Sequence, residues 1–144
     1  MNRKISLEII RLLLILLFAY AAMVKLIGYN KFVVQIGLSP LLPSFFHTVA
    51  WVIPVLELVI AIALLFPSLL KIGLYASLII MILFTFYIIG IFTVADHVPC
   101  SCGGILESLS WTEHLIFNIG FVLLIIFGLL VLNKEENIRE VINS

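Results

Sequence analysis

Residues 55–84 read VLELVIAIALLFPSLLKIGLYASLIIMILF, two long apolar runs separated only by Pro67-Ser68. About 20 consecutive apolar residues are enough for a helix to cross the hydrocarbon core of a bilayer. The connection is far too short to carry the chain back across the membrane, so the second helix must return beside the first. This stretch therefore predicts a tight antiparallel transmembrane hairpin.

The rest of the chain extends the same pattern. Apolar runs long enough to span a membrane occur at about 6–28, 46–66, 69–95 and 111–132. Hydrophobic residues make up 64% of the 144 residues and charged residues only 11%, against about a quarter charged residues in soluble domains. We expect an all-α fold, a four-helix transmembrane bundle of antiparallel, up-down helices. Residues 1–144 would form it as a single domain surrounded by membrane lipid.

The charged residues balance to a formal net charge of zero, which leaves no basic surface for a nucleic-acid partner. They are nevertheless unevenly placed, and loops rich in Lys and Arg stay in the cytoplasm. One side of the predicted bundle has only Lys25 and Lys31, whereas the other has Arg3, Lys4, Arg11, Lys71, Lys134 and Arg139. We therefore expect a multi-pass protein of the bacterial inner membrane with both termini cytoplasmic. The segment between the third and fourth helices would then be periplasmic.

That periplasmic segment holds the most chemically specific residues. Cys100 and Cys102 are the only cysteines of the chain, and they lie in the run Pro99-Cys100-Ser101-Cys102-Gly103-Gly104. A disulfide across one intervening residue constrains almost no chain, so stabilisation is a poor reason to have it. Strained and exposed disulfides are instead labile and oxidising. The spacing favours a redox pair.

Other interpretations of the cysteines stay open. His97 and His114 could serve as a base or favour a thiolate, or could be ordinary interfacial side chains. With the two cysteines they also offer a two-Cys, two-His set for zinc or copper, although zinc sites usually separate their cysteines by two or more residues. Two inert buried thiols are a third interpretation, against which the loop position between proline and glycines argues.

Within the predicted membrane interior, Glu57 lies about halfway along the second span. An ionised carboxylate there is costly unless it is paired or protonated. Tyr20 lies at a similar depth on the first helix and could donate to it, whereas Lys25 could reach inward or extend outward to the interface. Glu57 is either a polar contact between helices or a proton site or ligand anchor. Glu57 and Tyr20 are the residues we expect to line any pocket.

Three local patterns make smaller predictions. Ser110 and Glu113 have the spacing of a capping box, which predicts that the fourth helix begins there. Gly73 and Ser77 share one face of the third helix, where small side chains permit close approach of a neighbour. Asn118 on the fourth helix predicts hydrogen bonding between helices.

The chain resembles the MauE/DoxX group, and most closely the MauE-type (methylamine utilisation) redox-associated membrane proteins. The features that carry the resemblance are four spans, a short first outer loop, Glu57 in the second helix and Cys100-Ser101-Cys102-Gly103 after the third. It covers about residues 6–132. The resemblance implies maturation of disulfide-rich periplasmic enzymes beside a thioredoxin-like partner, with Cys100 and Cys102 as the exchanging thiols.

We therefore expect a membrane-embedded thiol–disulfide redox component; if it is an enzyme, it is a thiol–disulfide oxidoreductase. A single cysteine pair cannot shuttle electrons internally. Electrons must pass to a membrane carrier such as a quinone, or to a second protein. The alternatives are a non-enzymatic scaffold or accessory subunit for a periplasmic maturation partner, and a small metal-handling membrane protein.

Overall fold

A computed structural model describes residues 2–41, 44–94 and 110–144. Their helices are α1 (Arg3–Ile27), α2 (Tyr29–Gly37), α3 (Phe46–Leu65), α4 (Leu70–Val94) and α5 (Trp111–Asn143). No β-strand occurs within these ranges. Of the described helices, α1, α3, α4 and α5 are long and apolar enough to cross a membrane. The predicted all-α class with four spans is confirmed.

The centre of the chain folds as a short connection between two long helices. After Phe66 a single 3₁₀ turn (Pro67–Leu69) leads directly into α4. Proline suits the first position of such a turn because its missing N–H would have no helical partner there. Leu64 near the end of α3 lies against Gly73 of α4, where an added Cβ would come within 2.8 Å of the leucine Cδ2. The predicted close approach at Gly73 is confirmed.

Two features lie outside the predicted spans. The helix α2 occupies the connection between α1 and α3, and its Phe32 and Ile36 pack against Ala50 of α3. The helix α5 continues to Asn143, well past the expected end of the span at residue 132. Its last residues are mostly Glu, Lys, Arg and Asn, which are polar enough to leave the apolar layer and are still compatible with a helix.

Polar contacts join the helices at one end of the bundle. The Arg11 guanidinium on α1 donates from Nε to the carbonyl oxygen of Leu64 at 2.6 Å, and from Nη2 to that of Leu65. Carbonyl groups in the last turn of a helix have no intrahelical partner, so Arg11 caps α3. Lys71 at the start of α4 pairs with Glu136 near the end of α5 at 2.6 Å. An antiparallel bundle would make these contacts; the direction of the helices across the membrane stays a prediction.

The fourth long helix begins where the sequence predicted. Ser110 accepts a hydrogen bond from the Glu113 backbone N–H at 3.3 Å, and the Glu113 carboxylate accepts one from the Ser110 N–H at 2.8 Å. This reciprocal capping box satisfies two backbone donors that the helix leaves free. It also sets the rotation of the first turn of α5, on which His114 lies.

Candidate functional site

The predicted cysteine site lies in residues 95–109. Cys100, Cys102 and His97 are therefore outside the described residues, and their roles stay predictions. The segment that carries them leaves α4 after Val94 and enters α5 at Ser110. It is consequently attached to the end of the bundle at which α4 stops and α5 starts.

Four helices enclose a buried ion pair near that end. Lys25 in the last turn of α1 donates from Nζ to Oε1 of Glu57 on α3 at 2.7 Å. Both residues are almost completely buried. The Lys25 side chain therefore extends inward to Glu57, and does not extend outward to the membrane interface. Tyr20 is partly buried on α1, and its predicted place in a ligand pocket stays a prediction.

The surroundings of the Lys25 ammonium explain why it can stay inside. Its nitrogen lies 5.8 Å from the ring centre of Phe32 and 5.6 Å from that of Phe84. Aromatic faces attract a cation, and they do so more strongly where water is excluded. The carboxylate of Glu57 supplies the countercharge. The pair as a whole is neutral, which lowers the cost of placing it in hydrocarbon.

A cavity of about 50 Å³ adjoins the ion pair. All four long helices contribute to its wall. Its apolar lining consists of Leu17, Phe18, Ala21, Met81, Phe84 and Phe117. Its polar lining consists of Lys25, Glu57, His114 and Asn118. A mostly apolar pocket with a few convergent polar groups is the usual form of a small-molecule site.

Two polar side chains of α5 line the same cavity as the ion pair. His114 and Asn118 lie one helical turn apart, and both are buried. Within the part of the chain that the structure describes, Asn118 Nδ2 and Glu57 Oε2 have no hydrogen-bond partner. A buried polar atom left in this way costs about 1–3 kcal/mol, and more when it is charged. Asn118 Nδ2 and Glu57 Oε2 are thus an unsatisfied donor and an unsatisfied acceptor on two described residues that line the same cavity.

Comparison with known proteins identifies the chain. The family model described as methylamine utilisation protein MauE matches residues 3–131. The chain belongs to the MauE family. No curated protein and no solved structure matches it. The MauE match spans the cysteine segment and both members of the ion pair, and it confirms the resemblance to the MauE proteins that was inferred from the sequence.

With four apolar helices, this MauE-family chain is a multi-pass membrane protein. Its described residues bring together no group of three or more His, Cys, Asp or Glu side chains that could hold a metal. The metal set considered from the sequence includes His97 and both cysteines, which are not among those residues. That interpretation therefore stays untested.

The sequence predicted Glu57 as a pocket residue, but it suggested His114 only as a group that could activate the cysteines, and it missed the aromatic wall of the MauE cavity. Phe84 and Phe117 lie in runs where almost every residue is apolar. Lipid-facing and cavity-facing positions have the same composition in such runs, so no pattern distinguishes them. Lys25 was the available signal for the pair, because a lysine and a glutamate in neighbouring spans are expected to find each other.

Proposed function

We propose that this MauE-family protein is a thiol–disulfide redox component of the bacterial inner membrane, which supports disulfide formation in periplasmic proteins or their maturation. The observation that carries the proposal is the pair of cysteines, one residue apart, in the segment that connects α4 to α5. The Lys and Arg distribution favours a periplasmic position for that segment. The periplasm is oxidising, so a dithiol there can cycle with a disulfide.

The chemistry follows from thiol–disulfide exchange. A thiolate of the partner attacks the Cys100–Cys102 disulfide and forms a mixed disulfide, and one cysteine of this chain leaves as a thiolate. A second partner thiolate then displaces the other cysteine. The partner gains its disulfide, and two electrons and two protons are left on Cys100 and Cys102 as a dithiol. A membrane quinone, or a second protein with a disulfide, would accept them and become quinol or dithiol.

The family name favours clients in methylamine utilisation, and the resemblance favours a thioredoxin-like or disulfide-containing periplasmic protein as the direct partner. Such a partner would dock on the end of the bundle to which the cysteine segment is attached. Lys25 and His114 lie beneath that end, one in the last turn of α1 and the other in the first turn of α5.

Mass-tagging of thiols in intact membranes tests this proposal. A maleimide polymer adds two tags to the reduced chain and none to the disulfide form, and the ratio should change when reductant or oxidant is applied. The Cys100→Ser/Cys102→Ser double variant should fail to mature disulfide-containing clients. Ser101→Ala is the matched control, because it alters the same turn and keeps both thiols.

Two results would contradict the proposal. Normal client maturation by the double serine variant would favour a non-enzymatic scaffold. Thiols that stay reduced under oxidising conditions and bind metal stoichiometrically would favour a metal-handling protein.

A further inference from the structure

The ion pair leaves a binding requirement that the described residues do not meet. Glu57 Oε2 can accept a hydrogen bond, and Asn118 Nδ2 can donate one. Both side chains line the cavity between the four long helices. An occupant of this cavity should therefore donate to the carboxylate and accept from the amide. Water does both.

The size of the cavity also favours water. A water molecule needs about 10–15 Å³ of such space and two or more polar partners. The cavity of about 50 Å³ thus has room for a few water molecules. An aromatic ring the size of benzene occupies cavities of about 150 Å³, so the cavity as it stands is too small to enclose a quinone ring.

The charge of the site points to a neutral occupant. Lys25 on α1 compensates Glu57 on α3 in the resting site, so an ion bound there permanently would leave a net charge in the hydrocarbon. Among the described residues that line the cavity, His114 on α5 is the remaining titratable group. The helix α4 contributes Met81 and Phe84, neither of which titrates.

We propose that this cavity is a hydrated proton-binding site inside the bundle, in which Glu57 exchanges a proton with bound water. The carboxylate takes the proton from a hydronium ion that arrives along the water, which leaves a carboxylic acid and a water molecule. The Lys25 ammonium is then held by the faces of Phe32 and Phe84 and by the bound water until the reverse step returns the proton and restores the ion pair. Lys25 and His114 lie in the turns next to the end that carries residues 95–109, so protons would enter from that side. The site requires neither cysteine and is independent of the redox role.

Hydroxyl-radical footprinting of the full chain in lipid nanodiscs tests the hydration. Radiolysis makes radicals from water, and a radical formed in the cavity would oxidise the Met81 thioether to the sulfoxide. Met81 is only 4% exposed, whereas Met23 is 57% exposed on the outer surface of α1 and serves as the internal control. We expect Met81 to be oxidised several-fold faster in the wild type than in the Lys25→Leu/Glu57→Leu variant, with Met23 unchanged. Equally slow oxidation of Met81 in both would mean a dry cavity and overturn the proposal.

Infrared difference spectra at stepped pH test the proton exchange. The wild type should gain a protonated-carboxyl band that shifts in D₂O and is missing from Glu57→Gln. Glu113→Gln is the matched control, because its carboxylate lies at the exposed start of α5. If Glu57→Gln does not assemble, the Lys25→Leu/Glu57→Gln variant replaces it, since that variant buries no unpaired charge. Identical spectra for the wild type and the Glu57 variant would overturn the proposal.

The results expected from the footprinting and infrared experiments do not depend on the two cysteine thiols. The Cys100→Ser/Cys102→Ser variant should keep the Glu57 band in full, whatever its effect on client maturation. Failure of the redox proposal and failure of the proton site are thereby distinguished.

Discussion

Two lysine–glutamate pairs in this bundle have nearly the same geometry and opposite surroundings. The nitrogen–oxygen distance is 2.7 Å in Lys25–Glu57 and 2.6 Å in Lys71–Glu136. The side chains of the first pair are 6% and 2% exposed, and those of the second are 46% and 43% exposed. Water screens the exposed pair and solvates either partner alone, whereas the buried partners depend on each other. Burial, rather than bond length, decides what each pair contributes.

The largest expected effect comes from breaking the buried pair at one partner. Glu57→Leu leaves the Lys25 ammonium without its countercharge, and such a loss costs about 3–5 kcal/mol. We expect a correspondingly lower free energy of unfolding in denaturant titrations of the protein in micelles. Glu136→Leu is the matched control at the exposed pair, and it should change the unfolding midpoint little. Equal losses in the two variants would contradict the comparison.

Replacing the partly buried Arg11 should lower the free energy of unfolding by an amount between the losses in Glu57→Leu and Glu136→Leu. Arg11→Met removes the charged donor that caps the carbonyl groups of Leu64 and Leu65, and hydrogen bonds to charged groups contribute about 1.5–3 kcal/mol. The same titration should show an intermediate loss of unfolding free energy.

Glu8→Gln provides the control for Arg11, because it weakens only the exposed ion pair of the guanidinium with Glu8 and keeps both carbonyl contacts. A loss as large in Glu8→Gln as in Arg11→Met would assign the effect to the surface charge instead of the cap.

Replacing both Lys25 and Glu57 should lower the free energy of unfolding far less than replacing Glu57 alone. An apolar replacement of a whole buried pair is often neutral for stability, because the desolvation cost disappears with the attraction. The Lys25→Leu/Glu57→Leu variant should therefore recover most of the stability lost in Glu57→Leu. A double variant as unstable as the single one would show that packing, not charge, causes the loss.

The smallest expected effect is a difference in how the stabilities of the two single variants respond to salt. Added salt screens charges that are in contact with water and leaves buried ones almost untouched. The small difference between the wild type and Glu136→Leu should shrink as ionic strength rises, measured as a shift in unfolding midpoint. The difference between the wild type and Glu57→Leu should stay constant.

Much of this fold was predictable because its signals are local. Four apolar runs, the Pro67 break and the Ser110–Glu113 capping box each involve residues close in sequence, and each is confirmed. The partner of Glu57 was harder to predict. Depth along the helices placed Tyr20 level with Glu57 and Lys25 closer to the outer surface, yet Lys25 is the residue that forms the ion pair. Residue counting locates a Cα and does not show how far a long side chain extends.

The sequence by itself determined that this chain crosses a membrane four times, belongs with the MauE proteins and carries one costly carboxylate inside. The hydropathy of a span and the cost of burying a charge can both be estimated from the residues of one helix, without knowing which helices pack against it. Only the tertiary structure decided which groups meet that carboxylate. In α3, Leu56 and Leu58 are exposed and Ile60 is buried, yet all three are equally apolar. Helices that are apolar on every side carry no mark of the face that packs inward, so the cavity between them appears only when they are assembled.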